Sequence, residues 1–166
     1  MYPGPSNQDQ DLSCLSPFVN LQNLVVNLQA NIQLSPRQVA LIPTWWPHIR
    51  HLDLLPSNPS QGWIPEIDHA HLLDLIRGLP LLHHLGLRFD TTRIPGQLRL
   101  EPTETFQLKT LAVGESPIVS PSRVAAFIKE HFPRLEKLDV KRQTGTEYRY
   151  TILDIRWDAV VNMLQS

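Results

Sequence analysis

His51 and His84, with Asp53 two residues beyond the first, are the side chains in this chain whose types could hold a metal. Zinc accepts imidazole nitrogens and carboxylate oxygens. The two histidines could share an ion if their segments were adjacent strands, which lie about 4.8 Å apart. The ligand count argues against it: no third histidine or cysteine occupies the equivalent position in the related segments, and His83 should point away or into a turn. Two aligned surface histidines are the expected arrangement, and no metal or cofactor is expected. His69 and His71 are two residues apart at a helix start, a spacing that does not put them on one face. His48 and His131 adjoin prolines and should pack locally. No Gly-x-Ser-x-Gly nucleophile elbow is present. Neither Gly-x-x-x-x-Gly-Lys-Ser/Thr nor Gly-x-Gly-x-x-Gly occurs, so nothing would cradle a phosphate. Glu101 and Glu104 lie in a proline-flanked connector and are expected to be solvated. The expectation is a protein that is not an enzyme.

Composition narrows the classes further. A chain of 166 residues, 42% hydrophobic and 19% charged, can build one domain with its own core. A net charge of −1 lacks the basic footprint of a general nucleic-acid binder. The single cysteine, Cys14, cannot form an internal disulfide. The first residues carry no basic segment followed by an apolar run, and no stretch reaches the roughly 20 apolar residues of a membrane span. Cytoplasm or nucleus is the expected location, with neither nucleic acid nor membrane as partner.

The segments that would position these side chains repeat. Phe132-Pro133-Arg134-Leu135-Glu136-Lys137-Leu138-Asp139-Val140 has the form aromatic-Pro-x-Leu-x-x-Leu-x-Val. Trp46-Pro47-His48-Ile49-Arg50-His51-Leu52-Asp53-Leu54 and Leu79-Pro80-Leu81-Leu82-His83-His84-Leu85-Gly86-Leu87 are close copies. Leu21-Gln22-Asn23-Leu24-Val25-Val26 and Leu108-Lys109-Thr110-Leu111-Ala112-Val113 are looser ones. Leu24, Leu52, Leu85, Leu111 and Leu138 therefore recur at spacings of 28, 33, 26 and 27 residues. An apolar signature at that period marks a leucine-rich repeat. The expected fold is α/β, a short leucine-rich repeat solenoid with about five parallel strands and irregular outer helices.

Residues 1–13 are expected to be a mobile N-terminal tail, 14–146 the repeat array and 147–166 a C-terminal strand/helix cap. Strands are expected within 15–28, 49–54, 82–89, 108–113 and 135–140. Ser35-Pro36-Arg37-Gln38 starts a helix with a capping box, and Pro43 should stop it early. Asp68 caps a second helix, closed by Gly78 and Pro80. The connection 90–107 shows no helical period, although Leu98 and Leu100 alternate as in a short extra strand. Ser120-Pro121 opens a third helix. Tyr148, Tyr150 and Ile152 alternate as in a strand, after which Trp157, Val160, Val161 and Leu164 form one helical stripe. Trp46 and Trp157 are expected in core or cap.

With the leucines inward, the intervening positions form columns on the concave face. One holds Asn23, His51, His84, Thr110 and Lys137; the next holds Val25, Asp53, Gly86, Ala112 and Asp139. A third holds Asn27, Leu55, Arg88, Gly114 and Lys141. Mixed small, polar and charged groups suit recognition of a protein partner. The expected contact residues are Asn23, His51, Asp53, His84, Arg88, Thr110, Lys137, Asp139 and Lys141.

The aromatic/Leu-Pro-x-Leu-x-x-Leu-x-Leu motif, the Ser-Pro helix starts and the closing Trp-x-x-Val-Val-x-x-Leu resemble the leucine-rich repeats of fungal F-box-like proteins over roughly 15–165. The resemblance implies repeats that recruit the substrate of a ubiquitin ligase, joined to a Skp1-type adaptor only if an F-box lies upstream. No F-box pattern is present in this sequence. Where ribonuclease-inhibitor-like repeats often hold Asn or Cys, this chain has Gln29, Ser57, Asp90, Ser116 and Gln143. The alternatives are a truncated or decayed repeat protein with a structural role alone, and a metal-dependent enzyme.

Overall fold

The computed structural model describes residues 11–27, 32–56, 64–96, 104–140 and 150–166. Five short strands and four α-helices are found there: β1 Asn23–Val25, α1 Pro36–Trp45, β2 His51–Asp53, α2 His69–Arg77, β3 His84–Gly86, β4 Thr110–Ala112, α3 Pro121–His131, β5 Lys137–Asp139 and α4 Ile152–Gln165. All strand pairs are parallel, and the sheet order β1-β2-β3-β4-β5 follows the chain. Leu24, Leu52, Leu85, Leu111 and Leu138 are aligned across the sheet in unbroken register.

Each strand is three residues long, shorter than the apolar pattern suggests. The ladder nevertheless extends past each strand: Leu54 N–H donates to Gly86 O (2.8 Å), Leu87 N–H to Ala112 O (3.0 Å) and Val113 N–H to Asp139 O (3.1 Å). The prolines have a specific local role. Ile49 N–H donates to Trp46 O, Leu82 N–H to Leu79 O and Leu135 N–H to Phe132 O, at 3.0–3.1 Å. Pro47, Pro80 and Pro133 thus occupy the second position of three equivalent four-residue turns, where a fixed φ near −65° is already correct. The same turn leads into β2, β3 and β5.

The helices start where their caps dictate. Ser35 Oγ accepts from Gln38 N–H, and Gln38 Oε1 accepts from Ser35 N–H (3.2 and 3.0 Å), completing the expected box. Asp68 Oδ1 accepts from the N–H groups of Ala70 and His71, while His71 Nδ1 accepts from Asp68 N–H. Contrary to expectation, α1 does not stop at Pro43 but continues to Trp45. So close to the helix end the proline forfeits one hydrogen bond, and its ring gains a packing partner. A Cβ on Gly78 would lie 2.6 Å from Pro43 Cγ, so the glycine admits the ring. The alternation at Tyr150 and Ile152 likewise does not give a strand. Thr151 caps α4 with Asp154, and Ile152 is its first residue. Residues 90–96 and 104–109, between β3 and β4, contain no helix.

The core lies between the leucine side of the sheet and the helices. Leu52, Leu85 and Leu111 are fully buried against Ile42, Leu72, Leu75 and Val124, whereas Leu24 and Leu138 on the outer strands are partly buried. Each buried leucine contributes about 1.5–3 kcal/mol relative to exposure. Trp46 and Trp157 are core residues, as expected. Their indole N–H groups donate to Leu15 O and Ser116 O, so burial leaves neither polar tip without an acceptor. α4 packs on α3, and Arg156 donates to Ile118 O (2.7 Å). Trp63, Leu98, Leu100, Glu101, Tyr148 and most of the tail lie outside the described residues. Among the described residues no helix is long and apolar enough to cross a membrane.

Candidate functional site

A strand sends alternate side chains to opposite faces, so the residues flanking each central leucine share the other face of the sheet. The register brings Asn23, His51, His84, Thr110 and Lys137 into one row, and Val25, Asp53, Gly86, Ala112 and Asp139 into the next. Both rows match the columns expected from the repeats. They differ in access. Asn23 and Lys137 are exposed and His51, His84 and Thr110 half-buried, whereas Asp53, Gly86 and Ala112 are buried. Lys137 Nζ lies 3.3 Å from Asp139 Oδ2 at the β5 end.

His51 and His84 are stacked face to face, with ring centroids 3.9 Å apart and planes 4° from parallel. Asp53, only 6% exposed, places Oδ2 3.5 Å from His84 Nε2. Its other oxygen accepts the Leu55 N–H at 3.0 Å, which fixes the carboxylate's direction. Gly86, paired with Asp53 across the sheet, makes the room. A Cβ there would stand 2.5 Å from Asp53 Oδ1 and 2.6 Å from Cγ. One donor atom from each of His51, Asp53 and His84 falls within 4.8 Å of the others. Asp53, named with the two histidines in the sequence, supplies the third donor atom from the neighbouring row.

The third column differs from expectation. Leu55 (6% exposed) and Arg88 (8%) are buried rather than presented, while Asn27 is exposed and Lys141 lies outside the described residues. Arg88 Nη2 donates to the backbone oxygen of Glu115 at 3.0 Å. Burial pushes the Arg88 pKa below its ordinary value, with the Glu115 charge opposing that shift. Burial raises the Glu115 pKa; Arg88 works against the rise and Asp154 adds to it. The net shifts have one meaning: neither group recovers from the other what it loses by leaving water. Gly114, at φ +53°, sits where a Cβ would meet Leu55 Cδ2 at 2.9 Å. Arg88 is thus a structural side chain, and its expected role as an exposed contact is not supported by its burial.

Ser116, at an irregular Asn/Cys position, joins the segments that follow β3 and β4. Its hydroxyl accepts from Phe89 N–H (3.1 Å) and donates to Val113 O (2.6 Å), fully buried. Asp90 is also buried and accepts from the Thr92 N–H and hydroxyl. Glu104 does not stand alone, since Arg77 Nε donates to its carboxylate at 2.7 Å.

In comparisons with protein-family models, curated proteins and solved structures, nothing matches this chain.

Proposed function

We propose that this chain is a leucine-rich repeat solenoid serving as a protein-interaction module, similar to the substrate-recognition repeats of an F-box-type ubiquitin ligase receptor. The observation that carries this reading is the unbroken register of five leucines recurring at 26–33 residues, which sets the intervening side chains in rows on one face. Such rows give a repeat protein an extended surface on which a partner is read by shape and hydrogen bonding. Asn23, His51, His84, Thr110, Lys137 and Asp139 are the contacts, with Asp53 held beneath His84. The chain acts without catalysis, in cytoplasm or nucleus, and joins a Skp1-type adaptor only if an F-box lies upstream.

The test is cross-linking affinity capture with the wild type, a Thr110→Arg/Lys137→Glu variant and a Lys129→Glu variant on α3. A genuine recognition face loses the same captured protein in the first variant and keeps it in the second. Identical capture by all three places the contact elsewhere.

A further inference from the structure

We infer that His51, Asp53 and His84 form a binding site for one divalent transition ion of the zinc class. This does not depend on the repeat reading, because it uses only one strand pair and the glycine beside it. The donor set comes first. Two imidazole nitrogens and one carboxylate oxygen suit zinc and its neighbours, whereas calcium and magnesium demand shells of oxygen.

Geometry supplies the second ground. Tetrahedral bonds of about 2.0–2.1 Å put neighbouring ligand atoms about 3.3 Å apart. His84 Nε2 and Asp53 Oδ2 are at 3.5 Å already, and all three donor atoms lie within 4.8 Å of one another. The backbone register His51↔His84 and Asp53↔Gly86 holds the three side chains on adjacent strands, and rotation of the rings is what must close the remainder. The rings lie in adjacent strand positions on the same face, and binding an ion would turn them out of their 4° stack so that their in-plane lone pairs converge.

The supporting shell is the third. Leu55 N–H holds one carboxylate oxygen and turns the other towards His84, the kind of outer hydrogen bond that orients a metal ligand. Gly86 leaves the space the carboxylate occupies. Two of the remaining histidines are used elsewhere: His71 Nδ1 accepts from Asp68 N–H and His131 Nδ1 bonds Glu104 O. Among the described residues, His51, Asp53 and His84 are the single group of three such donors. Three protein ligands leave a fourth position for water.

The experiment is calorimetric titration of the full, metal-stripped chain with Zn²⁺ alone, with Co²⁺ absorption as a geometric check. The expected result is one ion per chain and visible tetrahedral cobalt bands. His51→Ala, Asp53→Asn and Gly86→Ala should each weaken binding more than about tenfold, while His48→Ala leaves it unchanged. Asp53→Asn retains an oxygen for Leu55 N–H, and circular dichroism confirms that each variant folds. Absence of stoichiometric zinc in the wild type overturns the site. So does binding that survives unweakened in folded His51→Ala and Asp53→Asn chains, which would assign the ion to other histidines.

Discussion

The carboxylate of Asp53 rests against Gly86 on the neighbouring strand, so closely that a single added methyl group would stand 2.5 Å from its Oδ1. Asp53 cannot simply swing away, because it is buried and the same oxygen holds Leu55 N–H. Gly86→Ala is expected to destabilise the fold by about 1–3 kcal/mol, the usual cost of forcing extra volume into a packed place. Urea denaturation should show a lower midpoint at an unchanged slope. A variant as stable as the wild type would mean that the carboxylate is not pinned there.

Ser116 makes a contrasting demand, for a polar group. Without its hydroxyl, the buried Phe89 N–H loses its acceptor in the segment after β4. Ser116→Ala should cost about 1–3 kcal/mol, as expected for a buried donor left unsatisfied. Hydrogen exchange should accelerate at the Phe89 amide beyond what global destabilisation produces. Unaltered protection at Phe89 would show that this bridge does not link the two segments.

The Arg88–Glu115 pair gives a pH prediction. The Glu115 pKa is raised in the folded protein, chiefly by burial. Above its ordinary value of 4.5 the folded state therefore holds this proton more tightly than the unfolded chain does. Stability from this group is present below that value and is lost as pH rises towards the raised folded value. Glu115→Gln should remove that loss, so the variant gains on the wild type as pH climbs above 4.5 towards the raised folded value. Thermal melts across this range measure the difference. A difference that is constant with pH would contradict the sign argued here.

Much of the framework was legible because the repeat places identical demands on each unit. Leu52, Leu85 and Leu138 sit in the same context, and their alignment followed from spacing alone. Ser35 with Gln38, and Asp68 before an apolar stripe, announced helix starts through local hydrogen bonding. Two of the misses, Pro43 and Arg88, arise where a distant residue decides a local outcome. Pro43 remains inside α1 because Gly78, contributed by another helix, accommodates its ring. Ile152 alternates like a strand residue, yet the Thr151–Asp154 cap makes it helical. Arg88 looked presentable in a column of side chains, but its guanidinium is drawn to a backbone oxygen 27 residues later. For the histidines, the rows were visible in the sequence. Asp53 was named beside them, but the fixing of its carboxylate next to His84 was not visible, since it depends on what Gly86 lacks.

Because the sheet follows chain order, each interior strand is hydrogen-bonded to the strand before it and the strand after it. An outer strand of such a sheet can change without altering how the inner strands pair. The His51–His84 stack sits on strands two and three of five, flanked on both sides, and so would keep its shape through changes in the number of flanking units.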